Sequence, residues 1–567
     1  MTFPGRTVSE ARKPSLSWSR DQHLQAISSR VFDLLVVGGG ATGASIARDA
    51  ALRGLDVALV ERGDLAAGTS SRSTRFIHGG LRYLKTLEFG FVREGLRERA
   101  TLMEVASHLV HSREFLFPAY ASGMERWKLR LGIGMYDLLA GRSRLGGTRT
   151  LSPSGALLLE PTLRGRDLKG AVVYRDGAAD DARLVVETGL AAVEAGATVV
   201  LHVEVERIIP SESEATVLVL RDRLGEASLG ARAAVVINAT GPWAGGLLHG
   251  EEEHGRRGGD SASRLRASRG SHLVVAREVL PVARVVVMPS RSDGRLLFAV
   301  PAGDFTYLGT TEVDHTGPLE PVKAAASEVD YILGVAAEIF EAPSLTRDKV
   351  LCTWAGIRPL VERPDTPTGS LSRDFRIVQE APGVVTVVGG KLTSCRRMAQ
   401  ATVDLASGVF FSRTGRRSDP CITTWKLFPG SEQKLAEEDA EFTPHTTPEV
   451  VRHLRATYGG RAARILGRIE ESAALGTPFA AGCPATPAEV IHAVEHEGAV
   501  RLADLLFRRL HPLMMEARMR SPQGKAIAEG ASRIMAAYLG WTEEKRFKEL
   551  ADAAREWERD FSVPPAR

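Results

Sequence analysis

Three glycines, Gly38, Gly40 and Gly43, and one acidic residue, Glu61, have the types and spacing needed to hold a dinucleotide. Gly38 would form a tight turn, Gly40 would let the backbone approach a pyrophosphate, and Gly43 would let a helix pack on a strand. Glu61 lies 18 residues after Gly43, within reach of a ribose 2′-hydroxyl. The following helix N-terminus adds N–H groups and a positive dipole end. This pattern predicts binding of an adenine dinucleotide.

A strand–helix–strand unit over about residues 31–62 must position these residues, because apolar runs at 32–37 and 57–60 flank the glycines. A later apolar run, 233–237, leads into Asn238-Ala-Thr240-Gly241. This ending resembles the later strand of two-domain flavoproteins, although alone it also fits an ordinary strand-to-turn junction. The two motifs together favour FAD over NAD as the cofactor.

Composition bounds the class of protein. The chain has 567 residues, which suggests three or four structural units, with 44% hydrophobic and 25% charged residues, as in globular proteins. The net charge of +4 gives no reason to expect nucleic acid as a partner. The four cysteines are scattered without CxxC spacing, so no disulfide scaffold and no metal site are predicted.

The order of patterns predicts an α/β fold with an additional α domain. We expect an N-terminal extension at 1–30 and an FAD-binding Rossmann-like domain assembled from the discontinuous segments 31–85, 170–245 and 350–405. An antiparallel-sheet substrate or cap domain, 86–169 and 246–349, would be inserted between them, and a helical domain would follow at 420–560. Residues 251–263 read as a disordered surface loop.

The sequence predicts no signal peptide and no membrane span. The first thirty residues lack an apolar core, and the uncharged run at 34–47 is shorter than the roughly 20 residues that a spanning helix needs. We expect the protein to be cytoplasmic or bound to a membrane surface.

Further motifs occur in a fixed order at 68–84, 174–184, 269–272, 309–312, 356–360, 372–374 and 389–393. Through them the chain resembles the FAD-dependent glycerol-3-phosphate dehydrogenases, of the D-amino-acid-oxidase-like superfamily, closely over about 20–410 and more loosely in the helical tail. Arg75 and Arg269 stand where that family usually has lysine, Glu312 where it has aspartate, and Ser394-Cys395 where it has Thr-Tyr. The calcium-binding extension of mitochondrial relatives is missing, as in a bacterial-type enzyme.

The resemblance implies oxidation of sn-glycerol 3-phosphate to dihydroxyacetone phosphate, with hydride transfer to N5 of a non-covalently bound FAD. The implied cofactor-binding residues are Gly38, Gly40, Gly43, Glu61, Thr69, Ser70, Ser71, Thr240, Gly241, Gly390, Leu392 and Thr393.

The resemblance also implies four substrate-binding cations: Arg358, Lys391 and Arg373, which would bind the phosphate, and Arg269. His78 and His272 are the two possible bases, because histidine titrates near neutral pH. His78, with Arg82 nearby, is expected beside the flavin and His272 on the substrate side. Which of them takes the proton stays open.

Family resemblance implies membrane quinone as the electron acceptor, a homodimer, and a location on the inner face of the cytoplasmic membrane. Residues 125–149 are basic and carry Trp127, Leu131, Met135 and Leu138 at helical spacing, as in an interfacial helix. A helix packed on its own domain with a solvated basic face is the equal alternative. Oxygen as acceptor, an amine or amino-acid oxidase, and a flavin-binding module without turnover are the other functions considered.

Overall fold

The computed structural model describes residues 18–84, 87–120, 123–247, 265–362, 373–432, 445–510 and 512–566. Within these ranges the chain forms two large sheets, each covered by helices, and a helical C-terminal region. Most of the predicted N-terminal extension and the loop predicted at 251–263 lie outside the described residues.

The strands alternate with turns and helices along the first 390 residues. They are β1 Val31–Val37, β2 Val57–Glu61, β3 Phe76–Ile77, β4 His111–Ala119, β5 Arg149–Leu151, β6 Gly170–Ala178, β7 Thr198–Leu201, β8 Val203–Ile209, β9 Thr216–Asp222, β10 Ser228–Asn238, β11 Leu265–Ala276, β12 Val285–Pro289, β13 Leu296–Ala302, β14 Phe305–Gly309, β15 Val313–Asp314, β16 Val350–Val361, β17 Phe375–Ala381 and β18 Val384–Gly389.

Helices cover the sheets and fill the C-terminal region. They are α1 Arg20–Ser29, α2 Ala41–Leu52, α3 Phe89–Val105, α4 Gly123–Ala140, α5 Pro153–Leu159, α6 Asp181–Glu194, α7 Ala326–Ile339, α8 Cys395–Thr414, α9 Pro429–Glu432, α10 Pro448–Tyr458, α11 Ala462–Glu471, α12 Pro487–His496, α13 Leu502–Arg508, α14 Pro512–Arg518, α15 Pro522–Leu539 and α16 Glu543–Asp560.

The first sheet has the strand order β17-β18-β10-β1-β2-β7, in which all neighbours from β18 to β7 are parallel. A β8–β9 hairpin continues antiparallel from β10. Residues Phe32–Val37 of β1 are all buried, which is why this strand reads as a continuous apolar run. Helices α2, α6 and α8 supply the apolar core on one face. This arrangement confirms the predicted α/β nucleotide-binding sheet.

The second sheet has ten strands, in the order β15-β11-β14-β13-β12-β4-β6-β3, with β16 beside β11 and β5 beside β6. Its pairs are antiparallel apart from β4–β12, as predicted for the substrate domain. Strand membership differs from the predicted ranges at three places: β3, β6 and β16 belong to this sheet, although all three lie in segments assigned to the FAD-binding domain. The cause is that an apolar run shows a strand is buried but not which sheet it joins. The domain boundaries themselves stay predictions.

The helical C-terminal region shares a hydrophobic core with the second sheet: Phe507 and Leu505 of α13 belong to the same buried cluster as Trp354 of β16. Buried charges also join this region to the first sheet. Asp64, fully buried after β2, accepts hydrogen bonds from the Nε of Arg508 at 2.5 Å and from the Nη2 of Arg509 at 2.8 Å. The helical region is therefore an integral part of the fold.

The Asp64 pairs predict a stability effect. Asp64→Asn should lower the free energy of unfolding by about 3–5 kcal/mol, because two buried guanidinium groups lose a shared counter-charge. Thermal and denaturant unfolding measure the change. Asp348→Asn, at an exposed ion pair with Lys349, is the control and should leave the melting temperature unchanged. Equal stability of both variants would contradict the assigned role of Asp64.

Candidate active site

The carboxyl ends of three neighbouring parallel strands meet at one edge of the first sheet. β1 ends before Gly38, β10 ends before Thr240 and Gly241, and β18 ends at Gly389. The N–H of Ala239 donates to the carbonyl of Val37 at 2.9 Å, which joins the first two turns directly. Ligands of open α/β sheets bind in such a crevice. The structure therefore brings together three of the predicted cofactor-binding segments.

The glycine turn leaves backbone exposed where a dinucleotide needs it. Gly38 has a φ of +109°, and a Cβ there would lie 2.7 Å from the carbonyl oxygen of Ala239. A Cβ on Gly43 would lie 1.8 Å from the carbonyl oxygen of Gly38, so only glycine permits α2 to approach β1 this closely. The residues present thus fit FAD, because a turn without side chains leads into the N-terminus of α2, where N–H groups can bind a diphosphate.

Glu61 is held by the same turn. Its carboxylate accepts from the N–H of Gly39 at 2.6 Å and from the N–H of Gly63 at 2.8 Å. Burial raises the pKa of Glu61, and the two N–H donors oppose that rise. A carboxylate oxygen can accept more than one hydrogen bond, so these contacts are compatible with the predicted role at a ribose. That role stays a prediction.

Residues 68–80 form a loop, here called the connecting loop, which runs from the nucleotide edge to the second sheet. Ser70 accepts from the N–H of Ala41, the first residue of α2, at 2.9 Å. The hydroxyl of Thr69 donates to the carbonyl of Ile357 at 2.7 Å, next to Arg358. Ser71 is buried in the same turn. The predicted Thr69–Ser71 group therefore lies between the nucleotide edge and β16.

At the end of the connecting loop, hydroxyl groups bind two successive backbone N–H groups. The N–H of His78 donates to Thr393 Oγ1 at 3.0 Å, and that of Gly79 donates to the phenol oxygen of Tyr136 at 2.7 Å. A Cβ on Gly80 would lie 3.6 Å from the Nζ of Lys391. His78, Thr393 and Lys391 are therefore neighbours, although more than 300 residues separate the first from the other two.

Arg358 and Arg373 both make polar contacts with the turn at residues 310–312. Arg358 donates to Thr310 Oγ1 at 2.8 Å and to the carbonyl of Thr311 at 3.1 Å. Arg373 pairs with the carboxylate of the next residue in that turn, Glu312, at 3.4 Å. The Arg373 segment lies beside the Lys391 segment, because the N–H of Gly390 donates to the carbonyl of Asp374.

The predicted substrate residue Arg269 is differently placed. Its guanidinium pairs at 2.9 Å with Glu328 of α7, which also accepts from Ser271 and Thr311. Its role in substrate binding stays a prediction, and in the structure it pairs with a carboxylate that also binds the turn after β14. The side chain of Arg82 lies outside the described part of the structure, and Leu392 packs beneath the connecting loop with Ile77.

His272 is fully buried between the second sheet and the connecting loop. Its Nε2 is 3.0 Å from Thr74 Oγ1, and its ring stacks on Trp354 with centroids 4.8 Å apart. A Cβ on Gly309 would lie 2.2 Å from His272 Cδ2, so glycine there makes room for the ring. Desolvation, followed by the charges of Arg358 and Arg75, lowers the pKa of His272 well below 6.5. His272 is therefore a neutral imidazole at neutral pH.

Sequence reasoning missed several residues that hold the candidate bases: Thr74, Tyr136 and Trp354. Thr74 lies within the 68–84 motif, but the sequence does not show that it contacts His272, almost 200 positions later. Trp354 lies two residues before the 356–360 motif on β16. Tyr136 lies in the segment 125–149, which the sequence analysis noted only for the apolar residues on the opposite face of the helix.

Comparison with known proteins gives two family matches. Residues 33–405 match the family described as FAD dependent oxidoreductase. Residues 421–546 match the C-terminal domain of alpha-glycerophosphate oxidase. The first match spans well over half of the chain.

Individual relatives cover almost the whole chain. A glycerol-3-phosphate dehydrogenase of Synechocystis sp. is 34% identical over 544 residues, which are 92% of this chain and 96% of the relative. An alpha-glycerophosphate oxidase of Streptococcus pyogenes is 30% identical over 94% of this chain and 96% of its own length. The crystal structure of a Bacillus halodurans glycerol-3-phosphate dehydrogenase complexed with FAD superposes with a TM-score of 0.76 at 28% identity, covering 96% and 98% of the two chains.

The glycine turn predicts a cofactor-specific defect. Gly43→Ala should yield folded protein with at least tenfold less bound FAD, because the added Cβ forces α2 away from β1. The ratio of flavin to protein absorbance measures it. Gly408→Ala, in α8 with nothing near its would-be Cβ, is the matched control and should keep full occupancy. Normal FAD content in Gly43→Ala would contradict the assigned cradle.

Proposed function

Because the chain belongs to the family of FAD-dependent glycerol-3-phosphate dehydrogenases, we propose that it oxidises sn-glycerol 3-phosphate to dihydroxyacetone phosphate and passes the electrons to membrane quinone. The observation that carries the proposal is that Arg358 and Arg373 both bind the turn at 310–312, while the Arg373 segment lies beside the Lys391 segment near His78 and the nucleotide edge. An amine or amino-acid substrate would call for one arginine to bind a carboxylate, whereas three cations suit a phosphate.

The protein's own side chains would bind and orient the substrate. Arg358 is held in place by Thr310, so its planar guanidinium is oriented before substrate arrives. Lys391 adds a compact charge from the segment after β18, with its Nζ 4.2 Å from the ring centroid of Phe91. When bound, FAD supplies the hydride acceptor. By holding the phosphate, the cations would fix the position of the secondary alcohol within the site.

Proton removal from the hydroxyl would fall to a histidine, and the geometry favours His272. Its imidazole is neutral, as a base must be, and is fixed by Thr74 and Trp354. Its Nδ1 is buried and accepts no hydrogen bond from any residue that the structure describes. His78 is the alternative base, since its loop contacts the Thr393 hydroxyl.

Helix α4 supports quinone as the acceptor. Trp127, Leu131 and Leu138 on its outer face are exposed by 64%, 73% and 73%, while Ile133 and Tyr136 on its inner face are buried. The helix thus both packs on its own domain and presents an apolar stripe, flanked by exposed Lys128 and Arg130. Such a face suits insertion into the interface of an anionic membrane. Among the described residues, no helix combines the length and apolar character needed to cross a bilayer.

The proposal is tested first by flavin bleaching. Anaerobic addition of sn-glycerol 3-phosphate should bleach the flavin absorbance, whereas glycerol and D-alanine should not. Reoxidation by a short-chain quinone without peroxide formation would support the dehydrogenase, and fast reoxidation by oxygen with peroxide would favour an oxidase, the activity named for the streptococcal relative. Absence of bleaching in FAD-loaded protein would overturn the proposed substrate.

Removing one of the arginines proposed to bind the substrate phosphate gives a sharper prediction. Arg358→Gln should raise the KM for sn-glycerol 3-phosphate by about 10- to 100-fold, the value of one or two charge-assisted hydrogen bonds. Arg277→Gln, at an exposed arginine that follows β11, is the matched control and should leave KM unchanged. Steady-state kinetics measure both. An unchanged KM in Arg358→Gln would exclude Arg358 from phosphate binding.

The membrane surface is tested with vesicles. Binding to phosphatidylglycerol vesicles should fall by about tenfold or more in Leu131→Ser/Leu138→Ser, because two inserted leucines are lost. Leu158→Ser, which removes an 86% exposed leucine from α5, is the control and should bind as the unmodified protein does. Equal loss in both variants, or none in either, would contradict a membrane-binding role for α4.

A further inference from the structure

The helical C-terminal region contacts the connecting loop on both sides of Thr74. Before it, Arg72 pairs with Asp560 at the end of α16 at 3.0 Å, and its guanidinium lies 4.1 Å from the ring centroid of Phe561. After it, Arg75 pairs with Glu516 of α14 at 3.4 Å. The residue that binds His272 is therefore held between two contacts from the helical C-terminal region.

Arg75 is itself in a constrained conformation. Its φ is +61°, a left-handed value that costs a non-glycine residue about 1 kcal/mol or more and persists only where surroundings enforce it. Its N–H donates to Ser73 Oγ and its carbonyl accepts from Ala179. Its guanidinium is buried, with Asp181 at 3.6 Å as the second carboxylate. Glu516 and Asp181 together compensate this buried cation.

Two routes lead from Arg75 to His272. Along the backbone, Arg75 follows Thr74, whose hydroxyl is 3.0 Å from His272 Nε2. Through space, the Arg75 guanidinium lies 5.2 Å from the ring centroid of Trp354, and the Trp354 ring stacks on His272. A shift of Arg75 would therefore move both groups that fix the imidazole.

We propose that Glu516 is a positioning residue for His272, and that the helical C-terminal region thereby completes the active site. The carboxylate fixes Arg75 and offsets its positive charge, which otherwise opposes uptake of a proton by the buried imidazole. Among the described residues, the carboxylate of Glu516 forms its ion pair with Arg75 and none with His272, so it acts on the imidazole through Arg75. This inference rests on the proposed function only through the assignment of His272 as the base.

The position of Glu516 also predicts a pH dependence. Burial raises the pKa of Glu516 to about 7, while the charges of Arg75 and Arg72 oppose that rise and those of Asp181 and Asp180 add to it. The neighbouring Cys352 thiol on β16 is buried and has a raised pKa, so it stays neutral. Glu516 is therefore anionic above about pH 7 and balances Arg75 there. Flavin reduction should accelerate as pH rises through 7.

The matched control is Glu497→Gln. Glu497 is also a buried carboxylate of the helical region paired with a buried arginine of the FAD-binding part, Arg183, at 2.6 Å. In the described structure, neither residue of that pair forms a hydrogen bond or an ion pair with His272 or with the connecting loop. Glu516→Gln and Glu497→Gln thus each neutralise a buried carboxylate by which the helical region pairs with a buried arginine.

Anaerobic stopped-flow reduction of the FAD-loaded proteins at pH 6 and pH 8 measures the effect. Glu516→Gln should slow flavin reduction at pH 8 by about 10- to 100-fold, as expected for a misplaced catalytic group, and should lose the rise near pH 7. Its KM should change little, because the variant leaves the residues proposed to bind the substrate phosphate unchanged. Glu516→Asp, which keeps the charge, should recover most of the rate, and it replaces Glu516→Gln if that variant fails to fold.

Crystal structures of both glutamine variants with FAD at pH 8 provide a readout that needs no turnover. In Glu516→Gln the distance from Thr74 Oγ1 to His272 Nε2 should exceed hydrogen-bond range, whereas Glu497→Gln should keep it. Equal rates, pH profiles and geometry in the two variants would overturn the proposal while leaving the proposed function intact. Absence of flavin bleaching in the unmodified protein would overturn the proposed function, and the crystal structures would still decide the role of Glu516.

Discussion

The structure depends on how the connecting loop, residues 68–80, is held inside the molecule. A loop that passes between two sheets and a helical region loses its contact with water, so the protein must satisfy its polar groups. Ser70 does so at the helix N-terminus, Thr74 at His272, and the N–H of His78 at Thr393. One segment thereby sets the relative positions of the cofactor edge, both histidines and Lys391.

Buried ion pairs surround this loop. Replacing such pairs by apolar residues often costs a protein nothing in stability, so their value lies in geometry rather than in energy. Asp181 shows this: it accepts from the N–H and hydroxyl of Ser73 and faces Arg75. An apolar core could not fix a hydroxyl or an imidazole to within a fraction of an ångström. The arrangement suits a site whose function requires oriented charges.

The sequence predicted the central strands of the parallel sheet, but it did not predict how every strand pairs. The apolar runs at 32–37, 233–237 and 384–388 are strands of the parallel sheet, as their length and composition indicated. The runs that begin at 170 and 350 lie in segments assigned to the FAD-binding domain, yet they pair within the second sheet, because an apolar run does not show which strands it pairs with. For α4, two alternatives were left open, and the structure contains both features: a packed face with Tyr136 and an exposed face with Trp127.

The sequence by itself determined the nucleotide-binding unit, because the βαβ motif is local: glycine spacing and apolar period lie within some thirty residues. It also located the cations and histidines through ordered motifs. Only the tertiary structure decided which of them meet. Thr74 contacts His272 across 198 positions, and Arg75 contacts Glu516 across 441. No spacing rule spans such distances, since these contacts arise only when sheets and helices pack. The place of the helical region in the active site could therefore come from the fold alone.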